Sequence, residues 1–176
     1  VQPMTSGRVF RLLTAICVCA FGGFIANAPA ASAHAIIELN GVAAVAGQSS
    51  VLTLEIQHGC LTESAGTTQV IAFVGKPWGA VKPGSASGWK VSVAPLADGG
   101  QQITWSIVGN PNPFGTPVYF PMTVKWPNSP GVYGMRVLQV CPGGLTWWDT
   151  PFTPATASSP SPPLTPLPQV SVLAGH

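Results

Sequence analysis

The sequence predicts an all-β protein built as an antiparallel β-sandwich. Three observations lead to this prediction: apolar and polar residues alternate over short runs, clusters rich in glycine, proline, asparagine and aspartate separate the runs, and no segment has helical periodicity. We expect seven to nine short strands within residues 34–150, a length sufficient to enclose one hydrophobic core.

Five runs carry the alternation most clearly. In the first, Leu52, Leu54 and Ile56 point one way while the residues between them point the other way. The pattern recurs in Val70-Ala72-Val74, Trp89-Val91-Val93, Ile103-Trp105-Ile107 and Val118-Phe120-Met122-Val124-Trp126. Each run is predicted to be a half-buried strand, which places Trp89, Trp105 and Trp126 on core faces. Trp78 follows a proline in a predicted loop and is a candidate surface anchor.

Residues 1–33 have the order of a secretory signal peptide. Arg8 and Arg11 precede an apolar run over residues 12–26, and Ala31-Ser32-Ala33 then provides a small-x-small cleavage site. The run is shorter than the roughly 20 residues of a transmembrane helix, which favours cleavage over anchoring. We therefore expect an exported protein that is extracellular, periplasmic or associated with the cell envelope.

Cleavage after Ala33 would make His34 the first residue of the mature chain. Competing sites after Ala30 and Ala35 are present, and the second of these would remove the histidine. A free terminal amine and the imidazole Nδ1 of one histidine can close a chelate ring on one metal ion, and nitrogen donors favour Cu(II) over other common divalent ions. The alternative is that His34 is only a polar residue tolerated beside a cleavage site.

Charge and cysteine content narrow the function classes further. Without residues 1–33 the chain has five basic and five acidic residues, so it is neutral and is not expected to bind nucleic acid. Cys60 and Cys141 remain, and in an exported chain one such pair predicts a disulfide. In the chain-entropy model, a disulfide that closes a loop of about 80 residues stabilises the fold by roughly 4 to 5 kcal/mol. The alternative is a thiolate metal site that uses Cys60 with His58.

Residues 151–176 differ in composition from the rest of the chain. They contain seven prolines and no lysine, arginine, aspartate or glutamate. This composition predicts a disordered or polyproline-like tail.

The folded region also resembles a known family. The segments "SAHAIIELN", "HGCLTESAGTTQVIAF", "ITWS" and "VYFPMTVKWPNSPGVYGMRVLQVCPGGLTWW", in this order, resemble the YcnI-like (DUF1775) family of exported copper-binding proteins, in its cysteine-containing "HGC" branch. The resemblance extends from His34 to Trp148. It implies a cupredoxin-like β-sandwich that binds Cu(II) through a monohistidine brace, in which a glutamate and a tryptophan join the N-terminal histidine.

In this chain the resemblance assigns the histidine to His34 and the tryptophan to Trp148, with Trp147 as the near alternative. The glutamate is either Glu63, which follows the second strand, or Glu38, which lies on the same face of an extended strand as His34. His58 is either a second metal ligand or a hydrogen-bonding partner of the turn before the disulfide.

The predicted function is an extracytoplasmic Cu(II) carrier, chaperone or buffer. Its partners would be the copper ion and a membrane copper transporter or a recipient metalloprotein. An enzyme is not expected, because the chain offers no acid/base pair, nucleophile elbow or phosphate loop, and His58 is the sole candidate for the second histidine of a copper oxygenase. The alternative is a metal-independent adhesion or carbohydrate-binding sandwich with loop tryptophans as sugar platforms.

Overall fold

The computed structural model describes residues 34–61, 66–159 and 163–175. The predicted signal segment, its cleavage site and Glu63 lie outside these residues. Within the described part of the chain, no helix is long and apolar enough to cross a membrane.

The described residues form eleven strands and one 3-10 turn, more strands than the seven to nine expected. The strands of the first half are β1 (Ala35–Glu38), β2 (Ser49–Ile56), β3 (Gln69–Val74), β4 (Ala80–Pro83), β5 (Trp89–Pro95) and β6 (Gln101–Ile107). Those of the second half are β7 (Val118–Lys125), β8 (Gly131–Gly134), β9 (Arg136–Cys141), β10 (Gly144–Trp148) and β11 (Gln169–Val172). The 3-10 turn spans Lys76–Trp78. The five alternating runs correspond to β2, β3, β5, β6 and β7.

Two antiparallel sheets make the sandwich. One has the order β1-β2-β7-β4, the other has the order β10-β9-β3-β6-β5, and β11 and β8 form a separate pair. One hydrophobic core cluster draws its side chains from both large sheets. The prediction of an all-β antiparallel sandwich is therefore confirmed.

Aromatic rings fill the middle of this core. Trp105 is fully buried and stacks on Phe120, with their ring centroids 4.7 Å apart, and Trp89 meets the same phenylalanine edge-on at 5.1 Å. Trp126 is also buried, and its Nε1 donates a hydrogen bond to Ser50 Oγ at 2.7 Å. The core-face prediction holds for these three tryptophans.

Trp78 is a core residue, so its prediction as a surface anchor is wrong. The 3-10 turn that follows Gly75 directs the indole inward, where it is only 2% exposed and packs near Trp126, with centroids 5.9 Å apart. Its Nε1 donates a hydrogen bond to the Gly134 carbonyl at 2.6 Å. Because the carbonyl satisfies the indole N–H, the ring is buried without an unpaired polar group.

The prediction of a disordered tail is wrong for its final part. β11 pairs antiparallel with β8, and Val170 and Val172 are buried in the core cluster. Leu173 forms a parallel bridge with Val45. The folded unit therefore continues past residue 150, since the alternating "QVSV" has a buried face of its own.

Candidate metal centre

A buried disulfide fixes the segment that follows β2. Cys60 and Cys141 are bonded, with their Cα atoms 6.1 Å apart, and the Cys60 backbone N–H donates to Cys141 Sγ at 3.0 Å. The predicted disulfide is confirmed. The alternative of a Cys60 thiolate metal site is wrong because the bond to Cys141 occupies that sulfur.

Gln139 connects three segments inside the core. On β9 it shares the inward face with Val137 and Cys141, and it is completely buried. Its Nε2 donates to the His58 carbonyl at 2.6 Å and to Thr67 Oγ1 at 2.7 Å, and its Oε1 accepts the indole N–H of Trp148 at 3.1 Å. The amide has a partner at each of its polar atoms, as a buried amide requires. We call Gln139, His58, Thr67 and Trp148 the Gln139 network.

The two tryptophans at the end of β10 face opposite sides of the sheet. Trp148 is buried and belongs to the Gln139 network. Trp147 stacks on Phe73 with a centroid distance of 5.5 Å, and the guanidinium of Arg136 lies 4.8 Å from its ring centroid. Of the two candidates from the sequence, Trp148 is the one whose indole bonds to Gln139.

His34 lies next to the β2 end of this network. Its carbonyl accepts a hydrogen bond from the Gln57 backbone N–H at 3.3 Å, directly beyond the Ala35–Ile56 pair of β1 and β2. Gln57 precedes His58, whose carbonyl accepts from Gln139. The backbone of Gln57 and His58 therefore links the His34 carbonyl to the Gln139 amide that bonds to Trp148.

His58 interacts with the turn in front of the disulfide. Its Nδ1 is hydrogen-bonded to the Gly59 carbonyl, so Nδ1 carries the proton in this contact. Its ring stacks on Phe114 with a centroid distance of 5.1 Å. These contacts agree with the turn-bonding alternative predicted from the sequence.

Glu38 lies on the face of β1 that points away from the core. Ala35 and Ile37 alternate with it and pack into the core cluster, whereas Glu38 is exposed and hydrogen-bonds to the Glu55 side chain. Burial of Glu55 raises its pKa, and the charge of Glu38 and this hydrogen bond raise it further, while a hydrogen bond from Gln57 acts in the opposite direction. The structure therefore does not bring Glu38 and Trp148 together.

The segment that contains Glu63 is bounded on both sides by residues near Trp148. Before it, the Leu61 N–H donates to Thr146 Oγ1 at 3.1 Å, and Thr146 shares the inward face of β10 with Trp148. After it, Thr67 belongs to the Gln139 network. Only residues 62–65 separate Leu61 from Gly66. Among the described residues there is no group of three or more histidine, cysteine, aspartate or glutamate side chains that could hold a metal ion.

The sequence reasoning did not identify Gln139, Thr67 or Glu55. A signal for Gln139 was present, because "VLQVC" places a glutamine in the same register as Val137 and Cys141, where an apolar residue is usual. No comparable local signal indicates the hydrogen bond from Gln139 to Thr67, since it joins residues 72 positions apart.

Comparisons with solved structures find related folds. An uncharacterized protein from Nocardia farcinica, whose crystal structure is described as revealing an immunoglobulin-like fold, superposes with a TM-score of 0.64 at 21% identity over 80% of this chain and 98% of that chain. A cohesin module from a Clostridium perfringens family 33 glycoside hydrolase gives a TM-score of 0.51 at 13% identity over 81% of this chain and 96% of that chain. No protein-family model and no curated protein sequence matches the chain. At these identities the similarity concerns the β-sandwich fold alone.

Proposed function

We propose that the chain is an exported Cu(II)-binding protein in which His34, as the N-terminal residue after processing, provides the metal site. The observation that supports this proposal is the meeting of three segments at one buried amide. Gln139 bonds to His58 just after β2, to Thr67 just before β3, and to Trp148 on β10. The residue before His58 bonds to the His34 carbonyl.

The donor set suits Cu(II). His34 would supply its terminal amine and imidazole, and Glu63 would supply a carboxylate, a combination of nitrogen and oxygen donors that favours Cu(II) over other common divalent ions. Trp148 supplies no donor atom, because the lone pair of an indole nitrogen belongs to the aromatic ring, and its N–H is bonded to Gln139. Its role would be to provide an apolar wall that limits the access of water to the ion.

Glu63 is the carboxylate that would join Trp148 to the site. The residues on either side of its segment are held beside Trp148 through Thr146 and Gln139. Glu38, in contrast, points away from the core and is hydrogen-bonded to Glu55. Glu38 shares its strand face with His34, so a site that used Glu38 would form on the outer face of the β1–β2 pair and would leave out Trp148.

The chemistry of such a site favours a carrier, chaperone or buffer. Thiolate and thioether ligands select Cu(I), and the Cys60–Cys141 disulfide leaves neither of these sulfurs available as a thiolate. We propose that the ion is held in its oxidised form and passed to a membrane copper transporter or a recipient metalloprotein. The disulfide supports export, because such bonds persist in oxidising compartments.

The test is a Cu(II) titration of the exported protein and three variants. We expect one tightly bound ion per chain, loss of this binding in His34→Ala, and at least about tenfold weaker binding in Glu63→Gln. Glu38→Gln is the matched control, because it removes the same charge from the outer face and should bind as the unmodified protein does. Full binding by His34→Ala would contradict the proposal, and a loss in Glu38→Gln alone would move the carboxylate to the outer face.

A second candidate function, metal-independent binding of a carbohydrate, has one observation in its favour. A groove of about 400 Å³ is lined by Phe73, Asp98 and Arg136, so an aromatic ring lies beside a hydrogen-bond acceptor and a donor. Trp78 cannot act as the sugar platform because it is buried. Retention on polysaccharide in the presence of a chelator, lost in Phe73→Ala but kept in Phe152→Ala, would support this function; equal behaviour of the two variants would exclude this groove.

A further inference from the structure

β5 is the outermost strand of the five-stranded sheet. It pairs with β6 on one side, and on its other side no described strand pairs with it. Every residue of β5 after Trp89 is exposed. A strand of this length with a free edge can accept a further strand.

The hydrogen bonds at the two ends of β5 determine which backbone groups point outward. The Gly88 carbonyl accepts from the Val108 N–H at 2.8 Å, and the Leu96 N–H donates to the Gly100 carbonyl at 2.9 Å. Because paired groups alternate along an antiparallel ladder, the even-numbered residues of β5 face β6. The odd-numbered residues therefore direct their N–H and C=O groups to the free edge.

Two of these odd-numbered residues provide free donors. The N–H of Trp89 already donates to the Ala86 carbonyl at 3.1 Å, and Pro95 has no N–H. Val91 and Val93 remain, each with an N–H and a carbonyl at the edge. A pairing strand must match these two residues to satisfy the edge.

The side chains of the same two valines extend the core to the edge. Val91 lies opposite Trp105 and Val93 lies opposite Ile103 in the β5–β6 register, and both of these β6 residues are fully buried. The valines nevertheless remain 41% and 51% exposed. An added strand would cover this apolar surface, which gives the pairing a hydrophobic contribution as well as backbone hydrogen bonds.

We propose that two copies of this chain associate by antiparallel pairing of their β5 strands about a twofold axis at Ser92. In this register Val91 of each copy lies opposite Val93 of the other, so the two copies exchange N–H···O=C bonds through all the free donors. Registers shifted by two residues pair fewer positions, whereas this one pairs the whole strand from Trp89 to Pro95.

The remaining positions are compatible with this register. Trp89 lies opposite Pro95 of the second copy, where neither residue has an available N–H. Lys90 lies opposite Ala94, so the single charge of the strand does not face its own copy, and like charges directly opposite would be destabilising. The two five-stranded sheets would then form one continuous sheet across the axis.

The first test is sedimentation equilibrium of the exported protein from about 1 to about 500 µM. We expect a concentration-dependent dimer, and we expect Val93→Lys to raise the dimer dissociation constant at least about tenfold because a charge would enter an apolar contact. Val132→Lys is the matched control, since Val132 on β8 is 64% exposed and away from this edge. A monomer at every concentration, or a dimer that Val93→Lys leaves unchanged, would overturn the proposal.

A cross-linking experiment tests the register and does not depend on weakening the dimer. Residues directly opposite each other at the axis have Cα atoms within the range that a disulfide spans. Ser92→Cys should therefore form a covalent dimer in a glutathione redox buffer, while Ala94→Cys, opposite Lys90, should not. Equal cross-linking of the two variants, or none for Ser92→Cys, would contradict the twofold register.

Discussion

The indole N–H of Trp148 donates a hydrogen bond to the side-chain oxygen of Gln139 at 3.1 Å in the core of the sandwich. The same glutamine holds the His58 carbonyl and the Thr67 hydroxyl through its NH₂ group. A single buried amide therefore fixes the tryptophan relative to the segment that follows β2 and the segment that precedes β3.

Gln139→Leu should lower the free energy of unfolding by about 3 kcal/mol. The substitution leaves the His58 carbonyl, the Thr67 hydroxyl and the Trp148 N–H without their common partner, and unsatisfied buried polar groups are costly. Urea unfolding measures the change. Gln102→Leu is the control, because the half-buried Gln102 side chain has one hydrogen bond within the described residues, to Thr104, and the change in stability should be less than about 0.5 kcal/mol. Equal effects of the two variants would show that the network does not hold the site together.

Trp78→Phe should destabilise the fold without changing ligand binding. The variant loses the hydrogen bond to the Gly134 carbonyl and part of the contact with Trp126. Together these losses should lower the free energy of unfolding by about 2 kcal/mol. Thermal unfolding measures the loss, with Trp147→Phe on the outer face as the control. Loss of polysaccharide retention at unchanged stability would instead make Trp78 a binding residue.

The raised pKa of Glu55 predicts that the free energy of unfolding falls as the pH rises above the ordinary carboxyl range. Because burial first and Glu38 second raise the pKa of Glu55, the folded chain holds this proton more tightly than the unfolded chain does. The stabilising contribution is complete below the unfolded pKa and is lost as the pH rises through the raised folded pKa.

Urea unfolding between about pH 4 and pH 7 measures this dependence. Glu55→Gln should remove it, and Glu38→Gln should reduce it in part, since burial is the larger cause and remains. If the unmodified protein and Glu55→Gln gave parallel curves over this range, the predicted proton linkage would be wrong.

Val172→Ala tests the role of β11 in the core. Val172 is buried, so removing two of its carbon atoms should lower the free energy of unfolding by roughly 2 kcal/mol. Leu173→Ala is the control, because Leu173 is next to Val172 in the chain but its side chain is 53% exposed. A comparable loss in both variants, or in neither, would contradict the burial pattern of β11.

Alternation alone predicted much of the fold. The runs that became β2, β3, β5, β6 and β7 are long enough for a period of two to be visible, and their apolar faces became the core. Shorter strands such as β4 and β11 have four residues each, and flanking prolines obscured β11 within a segment of disordered composition.

Contacts between distant parts of the chain were less predictable because they depend on tertiary structure. The position of Trp78 depends on a carbonyl 56 residues away, and the contact between the diagonal neighbours Glu38 and Glu55 depends on the register of β1 against β2. The predicted disulfide needed no such information, since Cys60 and Cys141 are the two cysteines that follow residue 33 and they allow one pairing.

Native mass spectrometry of the exported protein, after excess Cu(II) and buffer exchange, tests the central claim most directly. We predict a chain that begins at His34 and carries one copper ion, and a variant with one glycine inserted ahead of His34 that carries none after the same exchange, because the terminal amine no longer belongs to the histidine. A chain that begins elsewhere and still retains copper, or a glycine-extended variant that retains it equally, would contradict a site built on His34.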